Sequence, residues 1–502
     1  MTNELLWLTV FMQILMGGTD TLLHHEFTER LAWQPSAKTE LKLHALRNFI
    51  YAGLFGAFAW GVPNGTLALI ALAFIIAEVL ITLWDFVEED LSRKLPATER
   101  VLHTLLALNY GAILILLLPE LWSLSKEPTS YSLIDYGLGS YALMIASIGV
   151  FLFGLRDYFA AVRLENLNEI PGAELLSKLK ANQNILITGA TGFVGQRLTK
   201  ALIAKGQNIT VLTRNPEKAA NLGSPLNIIT DLEQIRDDAP VDAIINLAGE
   251  PLANGFWTKA KKQKILSSRE KIADEIYQLC ERLYVPPKTV ITASAIGWYG
   301  LRGGEKLTEE TEAEPCFTHE VCQSVEQKNN RLKDFNCRVI NLRIGLVLGI
   351  EGGMLANLLV PFEYGLGGPI GSGQHWMSWI TRDDLVRLIA HSLTNEEIQG
   401  AVNAVAPEPL QNKEFTKMLG DALNRPSFMP MPEKVLKLLL GDFAKELLLA
   451  SQKVDNAKII RSGFKFKAPN LKTALMQVLP LKKKNRTEKA EVITKSSQEY
   501  YF

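Results

Sequence analysis

Cysteine is scarce in this chain, with four among 502 residues. That is too few for a disulfide scaffold. Cys280, Cys316, Cys322 and Cys337 form no close CxxC pair, and no paired-Cys or His-x-His zinc pattern surrounds them. They read as reduced thiols of an intracellular domain. An excess of either charge is also missing. Lys and Arg number 53, Asp and Glu 53, so bulk charge gives no reason to expect a nucleic-acid partner. The first apolar run lacks the basic start and small-residue cleavage site of a signal peptide and reads as a retained helix.

Long apolar runs dominate residues 1–160. They lie near Leu5–Leu23, Phe49–Val62, Thr66–Trp84, Val101–Leu118 and Tyr136–Leu155. Several approach the ~20 residues a helix needs to cross a bilayer. Five spans are expected, the second being the shortest and richest in Gly and aromatics. Gly61-Val-Pro-Asn-Gly65 reads as a tight turn at the membrane surface. Basic residues cluster between spans one and two (Arg30, Lys38, Lys42, Arg47), between three and four (Arg93, Lys94, Arg100) and after five (Arg156, Arg163). Basic loops stay cytoplasmic, so an integral membrane protein with its N-terminus outside and its C-terminal half in the cytoplasm is expected.

Residues 161–183 are polar, contain Pro171-Gly172 and read as a linker. Short β-type runs then alternate with helical stretches: Asn184–Thr188, Asn208–Thr213, Ala243–Ala248, Thr289–Ser294 and Arg338–Leu342. The alternation predicts an α/β Rossmann fold, a doubly wound parallel sheet, over residues 184–480. Residues 481–502 form a basic tail, either solvated or touching anionic lipid.

Asn184–Thr188 runs into Gly189-Ala-Thr-Gly192-Phe-Val-Gly195 and then a helical stretch. Strand, glycine loop and helix together form a dinucleotide cradle. The glycines let the backbone approach a pyrophosphate, and the helix start offers free N–H groups. Gly189, Thr191, Gly192, Phe193, Val194 and Gly195 are therefore cofactor-binding candidates. The second strand ends in Thr213-Arg214-Asn-Pro216, without the acid that would hold the ribose 2′-hydroxyl of NAD. Arg214 either pairs with a 2′-phosphate or is a surface residue. NADP(H) is the expected cofactor.

Further motifs follow in order: Asn246-Leu-Ala-Gly-Glu-Pro251, Thr292-Ala-Ser-Ala-Ile-Gly-Trp-Tyr-Gly300, and Gly365-Leu-Gly-Gly-Pro-Ile-Gly-Ser-Gly373 leading to Trp376, Trp379 and Arg382-Asp-Asp384. Over residues 184–479 the chain resembles the atypical extended short-chain dehydrogenases, often called sugar-nucleotide epimerase-like. The resemblance implies a Rossmann core with a small C-terminal substrate region, and an NADP-dependent oxidoreductase or epimerase acting on a small polar or sugar-like substrate. It places Asn246, Ala248 and Gly249 beside the cofactor, and Ser294 and Tyr299 near the reacting carbon as catalytic candidates. The Tyr-x-x-x-Lys pair that moves the proton in catalysing members is absent. Thr318 and Cys322 stand in its place, with Ser294, Tyr299, His319 or Glu320 as possible substitutes. The missing pair leaves open a non-catalytic module that reports NADP(H) to the membrane bundle. Gly367, Gly368, Gly371 and Gly373 with Trp376 and Trp379 read as a substrate loop or as a packed aromatic loop.

Acids and histidines also recur at i,i+4 spacing by the cytoplasmic ends of the spans: Asp20/His24, Glu40/His44, Asp85/Glu89 and Glu99/His103. Each pair shares a helix face. They read either as an interfacial charged belt or as a metal site between facing helices that could accept electrons from the cofactor.

Overall fold

The computed structural model describes residues 4–167, 169–253 and 255–480. These divide into two compact units, 4–167 and 169–479. The expected basic tail, 481–502, lies outside the described residues.

The first unit is built from α1 (Glu4–Asp20), α2 (Lys38–Ala59), α3 (Thr66–Ser92), α4 (Ala97–Leu124) and α5 (Leu138–Leu164). Each holds most of one of the five apolar runs. Gly61–Asn64, after α2, pairs antiparallel with Ser130–Leu133, after α4, so those two connections share one end of the bundle. At the other end, Arg93 of the α3–α4 turn bonds Glu40 at 2.8 Å. There also, Arg163 of α5 lies over the Trp33 ring at 3.7 Å. The helices therefore alternate in direction. Their burial is inverted relative to a water-soluble bundle. Leu80, Ile115 and Ile145 are 62%, 76% and 71% exposed, whereas Glu40, Glu78 and Glu99 are fully buried.

Four helices, Glu4–Trp33, Thr66–Ser92, Ala97–Leu124 and Leu138–Leu164, are long and apolar enough to cross a membrane. Helix α2 is not among them. Its 22 residues would reach about 33 Å, but its first half carries Glu40, His44 and Arg47, and Glu40 and His44 are buried.

The second unit is organised around a seven-stranded parallel sheet. Its strands are β1 (Asn184–Thr188), β2 (Asn208–Leu212), β3 (Asn227–Ile229), β4 (Ala243–Asn246), β5 (Thr289–Ala295), β6 (Arg338–Ile344) and β7 (Gly400–Ala404). Their order is β3-β2-β1-β4-β5-β6-β7. Both faces are covered, which is why the strands read as nearly continuous apolar runs. Ile185, Ile187, Ile245, Ile291 and Ile340 pack on one face with Leu198 and Leu202 of α6 (Phe193–Ala204). Leu186, Ile244, Val290 and Val339 pack on the other with Ile272, Ile276 and Leu279 of α7 (Lys259–Arg282). Strand order reverses between β1 and β4, so their carboxyl ends flank a crevice where ligands of this fold bind.

Residues 169–183 are more than a linker. Leu175, Leu176 and Leu179 are buried in the core against α6, and a Cβ at Gly172 would come within 2.7 Å of Ala201 Cα. Their polar neighbours conceal that anchor in the sequence. Beyond β6, short strand pairs and helices form the smaller C-terminal region. Leu346–Leu348 lies parallel to Trp379–Thr381, and Trp376–Met377 antiparallel to Leu410–Gln411.

Candidate functional site

The glycines after β1 have separate causes. Gly189 adopts φ +73°, and a Cβ there would sit 2.5 Å from the carbonyl carbon of Leu247, just past β4. Only glycine fits that crossing. A Cβ at Gly195 would fall within 2.1 Å of the Gly189 carbonyl oxygen, so this residue seats α6 on the loop. Gly192 is exposed, and a Cβ there would meet only that same oxygen, at 3.2 Å. It caps α6 without any side-chain acceptor for the first-turn N–H groups of Phe193, Val194 and Gly195. An uncapped helix start beside an open glycine suits a pyrophosphate, so the residues present fit a dinucleotide. The Phe193 ring itself packs where a Cβ on Gly349 or Gly352 would go. Thr191 remains half-buried beside the loop.

Asn246 has a fastening role. Its Oδ1 accepts from Thr188 Oγ1 at 2.6 Å and from the Ala248 backbone N–H at 3.2 Å, locking the ends of β1 and β4 together. Arg214, two residues past β2, is exposed and forms no ion pair among the described residues.

Beside this cradle, a cavity of about 320 Å³ opens along the carboxyl ends of β4, β5 and β6. Ala248, Gly249, Ser294, Thr318, Cys322 and Arg269 line it on the Rossmann side, and His375, Trp376 and Met377 on the C-terminal side. Thr318 and Cys322, on α8 (Phe317–Asn330), occupy the expected places of the proton-moving pair. The Glu446 carboxylate, also lining the cavity, accepts from the Thr318 N–H at 2.8 Å and so fastens the C-terminal region to the start of α8.

Ser294 and Tyr299 part company. Ser294 Oγ donates to Glu326 Oε1 at 2.7 Å. Glu326 is buried and accepts both Nε and Nη2 of Arg343, each at 3.0 Å. Tyr299, by contrast, is fully buried outside the cavity lining. Its hydroxyl donates to Asn403 Oδ1 at 2.6 Å, and burial pushes its pKa up to about 12. A phenol locked there does not reach a substrate, so its expected catalytic place is corrected to a structural one. His319 and Glu320 are likewise outside the lining. His319 Nδ1 donates to the Trp298 carbonyl at 2.7 Å, and Glu320 is exposed.

The expected substrate loop divides in the same way. Trp376 lines the cavity, whereas Trp379 is fully buried and donates to the Glu408 carbonyl at 2.9 Å. The loop glycines pack on protein. A Cβ at Gly368 would fall 2.1 Å from the Met429 carbonyl oxygen, and one at Gly367 2.6 Å from the Phe362 ring.

Two groups that line the cavity and one behind it escaped sequence reasoning. Glu326 backs Ser294. Arg269 donates to the backbone carbonyls of Glu250 and Ile265, with burial drawing its pKa down. His375 has its pKa lowered to about 4 by burial. None belongs to a motif with fixed spacing. The only available signal was a charged residue within an apolar stretch, as at Arg343 in β6.

In the first unit, the acids and histidines converge. Ligand atoms of Asp20, His25, Glu99 and His103 lie within 4.8 Å of one another, as do those of Glu40, His44 and Glu89. Two expected members differ. His25 replaces His24, because α1 continues into a π-helical turn, Thr21–Thr28, that shifts the spacing from four to five. His24 Nδ1 instead lies 2.7 Å from Asp20 Oδ1. Asp85 is in neither group, though it lies 3.1 Å from His44 Nε2; it is bonded by Arg47 at 2.9 Å.

Residues 185–404 match the NAD dependent epimerase/dehydratase family, and 431–478 match a domain of unknown function. An Arabidopsis thaliana chloroplastic homologue of epimerase family protein SDR39U1 is 35% identical over 311 residues, covering 60% of this chain and 88% of that protein. The chain belongs to this epimerase family. The Bacillus subtilis family member YfhF is 33% identical, covering 59% of this chain and 98% of its own. The crystal structure of human SDR39U1 isoform 2 with NADPH superposes with a TM-score of 0.54 at 30% identity, covering 59% of this chain and 99% of that one.

Within this family site, His375 is expected to stay neutral above about pH 4. In ¹³C-histidine spectra, the resonance lost in His375→Asn should not move between roughly pH 6 and 8, where a free imidazole titrates. A midpoint near the ordinary value would contradict the burial of His375.

Proposed function

We propose that the second unit binds NADP(H) across the β1–β4 crevice and transfers hydride to or from a small polar, sugar-like and negatively charged substrate in the neighbouring cavity. The uncapped start of α6 behind Gly189 and Gly192 carries this reading. Exposed Arg214, without an acid at the end of β2, favours the 2′-phosphorylated cofactor. The human relative solved with NADPH supports the same choice. Arg269, whose hydrogen bonds go to carbonyls, supports an anionic substrate.

When bound, the oxidised nicotinamide would accept the hydride of a substrate alcohol, and the reduced form would return it in the reverse direction. The chain's residues manage the proton. Ser294 spends its only hydrogen on Glu326 and therefore offers lone pairs to the cavity. A substrate hydroxyl donating to Ser294 would pass its proton through Oγ to Glu326 as the carbonyl forms. Arg343 offsets the charge on Glu326 while that carboxylate waits. Cys322 remains a thiol at neutral pH, since burial pushes its pKa to about 11. Thr318 and Cys322 in place of the usual pair favour one second reading, binding without turnover, in which the domain signals cofactor state.

We also infer that the first unit is membrane-embedded, with its N-terminus outside and the second unit cytoplasmic. The inverted burial and the basic loops at one bundle end support this.

Wild type should bind NADPH more tightly than NADH in titrations of the full chain in detergent. Arg214→Asp should weaken NADPH by about tenfold to a hundredfold, the worth of a charge-assisted bond, and leave NADH little changed. An unchanged affinity ratio would refute the assignment. NADPH consumption with candidate sugar substrates, abolished in Ser294→Ala, separates turnover from sensing. For topology, a cysteine at Ser130 in a chain lacking its native cysteines should react with an impermeant maleimide from outside intact cells. Labelling only after lysis would contradict the orientation.

A further inference from the structure

The polar interior of the helical bundle has three properties that point to a bound cation. The first is a pair of unpartnered ring nitrogens. Nε2 of His25 and Nε2 of His44 are buried and make no hydrogen bond, on side chains 9% and 3% exposed. Each nonetheless faces two carboxylate oxygens. His25 Nε2 lies 3.3 Å from Asp20 and 3.7 Å from Glu99. His44 Nε2 lies 3.1 Å from Asp85 and 3.9 Å from Glu89. Nitrogen and oxygen lone pairs that converge without hydrogen-bonding geometry suit a common central cation.

The second is how the ligands are held. α1 with its π-helical extension, α2, α3 and α4 each contribute. The π-helical turn brings His25 onto the face of Asp20, and such turns are frequent at functional sites. His24 holds the other oxygen of Asp20, as an orienting partner of a metal ligand does. Glu89 lies between the two sets, 3.4 Å from His103 Nδ1 through one oxygen and 3.9 Å from His44 Nε2 through the other. The His25 and His44 rings stack 4.7 Å apart.

The third is charge and access. Asp20, Glu40, Asp85, Glu89 and Glu99 are all buried, and Arg47 pairs with Asp85 and Arg93 with Glu40 and Glu99. The carboxylates outnumber these two guanidiniums by three, an excess that either imidazolium or a bound cation must balance where uncompensated charge is costly. A cavity of about 310 Å³, largely apolar, opens onto Asp20, His25 and His103.

We propose that the bundle holds a histidine–carboxylate centre for divalent first-row transition ions. Asp20, His25, Glu99 and His103 form one ligand set, Glu40, His44 and Glu89 the other, and Glu89 bridges them. Mixed imidazole and carboxylate donors suit iron, manganese or zinc rather than calcium or copper(I). The centre's accessible side faces the apolar cavity, which would admit a small lipid-soluble molecule.

The test uses the full chain in detergent, stripped with a chelator, loaded separately with Fe(II), Mn(II) or Zn(II), desalted and assayed by elemental analysis. About one or two equivalents per chain should be retained for at least one ion. Co(II) loading should give the visible bands of a histidine–carboxylate site. His25→Ala and the near-isosteric Glu89→Gln should each lose at least one equivalent while keeping the wild-type helical circular dichroism and elution profile. His391→Gln, in the second unit, should retain all of it. A folded wild type that retains no ion, or retention unchanged in both bundle variants, would overturn the proposal and leave imidazolium ion pairs as the occupants of the cluster.

Discussion

A parallel sheet buried on both faces can offer chemistry only at its edges, and the second unit is arranged around its carboxyl edge. Because β1 and β4 run side by side where strand order reverses, their loops must diverge there. The tight approach of Gly189 to Leu247 fixes how far. That approach sets the direction of α6, leaves its first N–H groups without a side-chain acceptor, and lets Asn246 tie the two strand ends. Extending β5 and β6 two residues beyond Asn246 and its partners then brings Ser294 and Arg343 level with each other, register partners across the sheet.

The first unit follows the opposite solvent rule with the same physics. Its outer surface is apolar and its interior carries carboxylates, imidazoles and guanidiniums. In an apolar setting an isolated buried ion costs several kcal/mol even after relaxation, so these groups persist only in mutual contact or around a cation. Helix α2 shows the compromise. Its first half is too polar for a lipid-facing span, yet Glu40, His44 and Arg47 all meet partners across the bundle.

Much of this was legible in the sequence, and its limits have physical causes. β1 was expected at its observed bounds, because a short apolar run ending in a glycine loop has few alternatives. The edge strands Asn227–Ile229 and Gly400–Ala404 were missed. Each is short, and its polar or small residues imitate loop composition. Tyr299 looked catalytic by position, but burial depends on distant residues such as Asn403, 104 positions away. The Glu326–Arg343 pair has no periodic signature, since it joins a helix to a strand. Among the acids and histidines, i,i+4 spacing identified most of the cluster. It failed at His25 because a π-helical turn changes the period. Spacing could pair residues on one helix, whereas their convergence across four helices needed the fold.

Cofactor binding depends most on the open position at the start of α6, which Gly192→Asp tests directly. Aspartate is a favourable residue at a helix N-cap, so the variant should fold as well as wild type while placing a carboxylate where the pyrophosphate would lie. NADPH titration of the two full-length proteins, followed by quenching of tryptophan fluorescence, should show saturable binding to wild type and none to the variant. Equal binding by both, or binding by neither, would contradict a cofactor site in the β1–β4 crevice.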